Sequence, residues 1–385
     1  MLKTLSAETA GFDQRRLGRF AEAIQRDIDQ EVFDGCVVVV ARRNGPVFHQ
    51  AFGYADRDKG RKMETGALFH SMSTGKQFTS TMGLRHVEAG DLRLHTRVRD
   101  VIPEFAANGK GAVTLFQLLT HTSGIITEIA PGITWETLGD LKLTIESICA
   151  TALVEHPGLR ISYSAYAGSA VIAEMVRRVN GDERPWRHMV RDEIFAPLGM
   201  ADSALGLLKA NRDRVCPVRV RGPGIRGDVQ QINDIMDEAF EVPAGGCTLT
   251  AEDMSRFCGA FLHDGALEGH RLLSPAMIAM IGQNHTRFPE TPFSQRDEMA
   301  GKWPSNYGLG FVIRGEGIGP SPFGALASPT TFGGMGHGST MFWIDRERDL
   351  SMVFLSTGLI DDARHFDRCQ RYSDLAISAC TTWPQ

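Results

Sequence analysis

The chain has no dominant charge: its 385 residues carry 41 Lys and Arg against 46 Asp and Glu, a net charge of −5 with mixed signs. That leaves no basic stripe for nucleic acid and no patch for an anionic membrane. No apolar run reaches the length of a membrane span, and the opening Met-Leu-Lys-Thr-Leu-Ser-Ala-Glu holds no apolar stretch of signal-peptide length. The seven cysteines (Cys36, Cys149, Cys216, Cys247, Cys258, Cys369, Cys380) are odd in number, scattered and without a C-x-x-C pair. They read as small apolar residues of a reducing compartment, so a cytoplasmic protein is expected. Twelve histidines show no H-E-x-x-H or other metal spacing, so neither a metal nor another cofactor is expected. Internal repeats are also missing.

What is present is a chain too long for most single cores. Phe12 to Ile28 carries a helical apolar stripe. Cys36 to Ala41 and Pro46 to Gly53 read as a hairpin across Arg43-Asn44-Gly45. A mostly helical middle follows, with helices expected over 77–88, 114–119, 145–153, 169–179, 186–195 and 251–263. Within it, 217–228 reads as a long surface excursion and 284–304 as an irregular flap beside a site. Strands return at 308–313, 341–344 and 350–355, and a helix over 366–379 closes the chain. Strands at both ends most simply share one sheet. The expected fold is α/β (α+β): an antiparallel sheet domain from 1–70 together with 305–385, flanked by helices, and an inserted mostly helical domain over 71–304. The active site would lie at their junction.

Ser73 falls at that junction. It stands three before Lys76, at the start of the helix expected over 77–88, so an amine would sit beside a hydroxyl at a helix end that attracts negative charge. An acyl-accepting serine needs such a proton acceptor and positive field. A serine ahead of a helix is ordinarily only an N-cap. A P-loop is excluded, because His70 and Gln77 stand where Walker A needs glycine and Ser or Thr. Tyr163, in a loop after Pro157-Gly158, is the second candidate. A free phenol has a pKa of about 10, and the field of Lys76 would have to lower it by roughly 3 units for a base near neutrality.

Together these pieces resemble the serine β-lactamase and penicillin-binding-protein-like superfamily, in the class C-like branch that includes family VIII carboxylesterases. Ser73-Thr74-Gly75-Lys76 matches its S-x-x-K, and Pro157-Gly158 with Tyr163-Ser164-Ala165 its P-G-x-x-x-x-Y-S-N. Lesser marks follow in order: Leu118 to Gly124, Phe195 to Met200, Pro243-Ala244-Gly245-Gly246 and Tyr307-Gly308-Leu309-Gly310. The resemblance implies Ser73 as nucleophile, with Lys76 and Tyr163 sharing the proton transfers. The family's K-T-G strand motif corresponds to Gly334-Met335-Gly336, which gives His337 the second oxyanion N–H; a register shifted by three would put His337-Gly338-Ser339 there.

The sequence departs from the family in two places. The motif lysine is absent, which weakens recognition of a carboxylate such as a β-lactam's, and Ala165 replaces the usual asparagine. The expected activity is a serine hydrolase acting on a small ester through an acyl-enzyme. An amide-directed relative, a biosynthetic acyltransferase and a non-catalytic binding protein on the same fold are the alternatives. Trp135 and Trp303 are candidates to line the acyl pocket, while His121 is expected to serve its loop by bonding backbone. The partner expected is a small-molecule ester or amide.

Overall fold

The computed structural model describes residues 4–181, 183–223, 225, 227–286, 306–317 and 319–383. The expected flap at 284–304 and Trp303 lie almost wholly or wholly outside them.

Seven strands form one antiparallel sheet: β1 (Gly35–Arg42), β2 (Gly45–Asp56), β3 (Arg61–Lys62), β4 (Val312–Ile313), β5 (Phe332–Gly336), β6 (Thr340–Asp345) and β7 (Leu350–Thr357). Their spatial order is β3-β2-β1-β7-β6-β5-β4. The amino-terminal hairpin therefore joins the carboxyl-terminal strands through β1 and β7, with Val38 opposite Phe354. The run Val37-Val38-Val39-Val40 is apolar throughout because both sheet faces are covered. Val38 and Val40, with Trp343 and Phe354, face a layer made by α1 (Gln14–Asp29) and a carboxyl-terminal helix at Asp362–Ser378. Val37 and Val39, with Phe342 and Leu355, face the larger core.

That larger core is built on α2 (Lys76–Ala89), α3 (Ala167–Asn180) and α4 (Ala251–Leu262), with the Asp362–Ser378 helix as α5. Phe78 of α2 meets Phe195 and Phe257 edge-on at 5.0 and 4.8 Å between ring centroids. Gly181 and Gly90 end their helices in left-handed conformations.

Some boundaries differ from those expected. The helix expected over 145–153 runs from Leu141 to Ala150, because the Asp140 carboxylate caps it by accepting from the Leu143 N–H. The strand expected over 308–313 shrinks to β4: Gly310 is left-handed and its N–H turns away to the Leu119 carbonyl. The excursion at 217–228 is not merely superficial. Val218 is buried with Ile232, Met236 and Phe240 in a third cluster, and Val220 bridges to Leu359. Among the described residues no helix is long and apolar enough to cross a membrane.

Candidate active site

Ser73 does not cap α2. It lies in a 3₁₀ turn, Met72–Gly75, that runs straight into the helix. This turn is tightly held. Met72 is left-handed, at φ 48°, a costly conformation for a residue with a side chain. Gly245 presses against it, so close that a Cβ there would lie 2.4 Å from the Met72 carbonyl oxygen. Gly75 approaches Gly245 from the other side, where a Cβ would meet its Cα at 3.0 Å. The Ser71 hydroxyl donates to the Gly245 carbonyl at 3.0 Å. The stretch Pro243–Gly246 is thus the wall that fixes the serine's backbone.

Lys76 projects back along the turn. Its Nζ stands 3.0 Å from Ser73 Oγ and 3.3 Å from the Ala244 carbonyl, to which it donates. Only 4% of Lys76 is exposed, and burial pulls its pKa down to about 7. Near neutrality a large share of it is therefore free amine, able to accept from Ser73.

Tyr163 lies on the same spot. Its hydroxyl shares a hydrogen bond with Ser73, and its ring centroid is 5.2 Å from Lys76 Nζ. The drop in pKa that a tyrosine base would need does not occur. Desolvation around the hydroxyl pushes it up to about 12, although 40% of the residue is open to the cleft. An amine that is itself largely uncharged supplies little field to stabilise a phenolate.

The loop before Tyr163 is organised by His121, whose φ of 54° is left-handed. Its ring packs between Tyr163 and Tyr307, at 4.6 and 5.0 Å between centroids, and its Nδ1 accepts from the Ser164 N–H at 3.3 Å. Burial lowers its pKa to about 3, so it stays neutral with the proton on Nε2. The expected backbone bond is present. What the sequence did not reveal is that His121 also positions the Tyr163 ring; the signal was a lone histidine in a Thr-rich loop.

The strand-motif residues divide. Gly334 faces Gln77 of α2, where a Cβ would sit 2.4 Å from Oε1, and Gly336 faces Ser71 and Met72. They let β5 approach the serine's turn closely. His337 follows at the end of β5 and lines the cleft, its Nδ1 3.1 Å from Asp362. Among the described residues the His337 N–H has no backbone acceptor.

Ser73, Lys76, Tyr163, Ala165 and His337 share one cleft of about 850 Å3. Its far wall is apolar, formed by Ile129, Ile133, Trp135, Leu138, Ile232 and Phe240. Trp135 lines this cleft too, its Nε1 donating to Asp228 at 3.4 Å. A second cleft of about 900 Å3 contains none of Ser73, Lys76, Tyr163, Ala165 and His337, although Phe240 lines both. Its charges Glu104, Glu174, Arg177 and Arg178 pair among themselves. Among the described residues no cluster of side chains could hold a metal ion.

With this geometry in view, the chain matches the Beta-lactamase family model over residues 20–374. Penicillin-binding protein 4 of Amycolatopsis lactamdurans is 33% identical over 247 residues, covering 62% of this chain and 63% of that protein, less than two thirds of its length. Esterase EstB of Burkholderia gladioli is 28% identical over 372 residues, covering 84% and 85%. Among solved structures, a family VIII carboxylesterase superimposes with a TM-score of 0.77 at 21% identity, covering 98% of this chain and all of that one; that likeness is one of fold.

Proposed function

Because the chain belongs to the Beta-lactamase family, we propose that it is a serine carboxylesterase that turns over small neutral esters through an acyl-enzyme on Ser73. The observation that carries this reading is the 3.0 Å contact between a desolvated Lys76 amine and Ser73 Oγ at the floor of an open cleft.

The steps follow from the protonation states. Uncharged Lys76 takes the Ser73 proton as Oγ attacks the ester carbonyl. The N–H groups of Ser73 and His337 hold the developing oxyanion. Tyr163, protonated throughout the neutral range, gives its proton to the departing alkoxide and is reprotonated from the Lys76 ammonium. Water then enters, loses its proton through the same pair and releases the acid, restoring the starting state.

An ester is favoured over a β-lactam by the cleft's charges. Among its described lining residues the only basic side chains are Lys76 and His337. The first is committed to Ser73, and the second is engaged with Asp362. An anionic carboxylate on the substrate would be left without a dedicated partner.

Turnover of p-nitrophenyl butyrate by the native protein and by Ser73→Ala tests the reading. Removal of a nucleophile should cost several orders of magnitude in kcat, and a fluorophosphonate should add its mass to Ser73 alone. A loss of only a few-fold would exclude Ser73, and nitrocefin turnover exceeding ester turnover would favour the amide-directed alternative.

A further inference from the structure

Behind the sheet, out of reach of any substrate, lies a buried arginine that the mechanism above does not use. Arg368 of α5 is only 2% exposed. Among the described residues no carboxylate lies within ion-pair distance of it. Its guanidinium sits between the rings of Phe33 and Phe354, 4.6 and 5.0 Å from their centroids. Desolvating a guanidinium without a counter-ion is expensive, and the groups that receive its protons are therefore informative.

Nη1 finds no acceptor among the described residues; the bonds made by Nη2 and Nε lead, directly or through one side chain, to one turn of chain. Nη2 donates to the Gly338 carbonyl at 3.0 Å and to Ser356 Oγ at 2.9 Å. Ser356 Oγ in turn donates to the Ser339 carbonyl at 2.7 Å. Nε donates to His365 Nδ1 at 3.1 Å, which fixes that ring's proton on Nε2, 3.1 Å from the Thr340 carbonyl. The Thr340 hydroxyl donates to the Ser71 carbonyl at 2.8 Å, two residues before Ser73. Directly, or through the Ser356 and His365 side chains, these bonds lead to the carbonyls of Gly338, Ser339 and Thr340, and from Thr340 to the serine's own loop. His337, which lines the cleft, immediately precedes that turn, and among the described residues its N–H has no backbone acceptor.

We propose that Arg368, acting through Ser356 and His365, is a positioning residue that holds the His337 amide in register with that of Ser73, so that both reach the oxyanion together. This rests on the reading of Ser73 and His337 given above. A misplacement of about 1 Å can cost on the order of 100-fold in rate.

The test compares Arg368→Met and Ser356→Ala with the native protein, using p-nitrophenyl butyrate for kcat and KM and butylboronic acid, which forms a tetrahedral adduct on the serine, for affinity. Replacing a buried charge by an apolar side chain of similar volume is often neutral or stabilising, so a purely structural role predicts altered melting with an unchanged kcat. The proposal predicts that kcat falls at least fivefold in either folded variant, boronate affinity falls with it, and KM stays within threefold. A smaller fall in kcat, a loss carried by KM, or undiminished boronate affinity overturns it. If Arg368→Met does not fold, Ser356→Ala decides by the same thresholds. Ser73→Ala, run in parallel, separates the two readings. If native turnover is abolished by Ser73→Ala but both other variants match the native protein, only the positioning role falls; if turnover does not depend on Ser73, both fall.

Discussion

The Lys76 amine lies 5.2 Å from the centre of the Tyr163 ring, and burial moves the two groups in opposite senses, the amine down to about 7 and the phenol up to about 12. Both shifts favour the uncharged form, and the proposed mechanism divides the labour accordingly, with Lys76 as base and Tyr163 as acid. Activity should then rise as pH rises through about 7, as Lys76 loses its proton, and stay level until the phenol ionises. Tyr163→Phe should lower kcat by roughly 10²–10³ and leave the acid limb near 7. Profiles of kcat/KM against pH for the two proteins check this; an acid limb that disappears with the Tyr163 hydroxyl would make Tyr163 the base.

The same burial has a cost in stability. A lysine whose pKa falls from 10.5 to about 7 on folding binds fewer protons in the native state than in the unfolded one between those values. Stability contributed by this site is therefore complete above about pH 10.5 and is lost as pH falls toward 7, below which the loss is constant. Lys76→Met removes the titration. It should be more stable than the native protein by on the order of 4 kcal/mol at pH 7, and by only about 1 kcal/mol at pH 10, while losing activity. Urea midpoints at the two pH values measure the difference; a gain that does not shrink at pH 10 would mean that desolvation of the ammonium is not its source.

Ser73, Lys76 and Tyr163 could be read from the sequence because their spacing is local or sits in a recognisable loop. The sheet was legible because Val37–Val40 and 350–355 are β-branched or apolar runs too short for helices. Other features depend on approaches between distant parts of the chain. Met72 is left-handed where Gly245, 173 residues away, lies against it, and nothing local to Met72 announces it. Arg368 and His365 look like polar residues of an ordinary helix until α5 is laid against the sheet. The upward shift at Tyr163 could not be read either, because it depends on how dry the hydroxyl is.

Gly334 and Gly336 offer a contrast between two close approaches on one strand. A Cβ at Gly336 would meet Thr340 Oγ1 at 2.1 Å, Met72 Cβ at 2.8 Å and the Ser71 carbonyl at 2.9 Å, and the last of these is backbone two residues before Ser73. The atoms nearest a Cβ at Gly334 are the end of the Gln77 side chain, whose displacement would strain its bond to the Gly310 carbonyl but no backbone. Gly336→Ala should cost about 1–3 kcal/mol and at least tenfold in kcat, whereas Gly334→Ala should cost less in both. Thermal melts and kcat for the pair check the order; equal losses would show that the glycines do not act through these contacts.

The apolar wall of the cleft makes the final prediction, about the acyl group. Trp135 contributes an indole to that wall, tethered by its Nε1 to Asp228. Each methylene that leaves water against such a surface contributes about 0.8 kcal/mol, close to fourfold in affinity. The native protein should therefore prefer p-nitrophenyl butyrate and hexanoate to acetate, with the preference carried by KM, since the same contact persists from ground state to transition state. Trp135→Ala should raise KM for hexanoate about tenfold and leave acetate within threefold, because a two-carbon acyl group has the least apolar surface to bury. An equal loss on all three esters would mean that Trp135 supports the loop carrying it rather than the acyl chain. A preference for acetate in the native protein would place the acyl group on the other side of Ser73, with the alcohol against the indole.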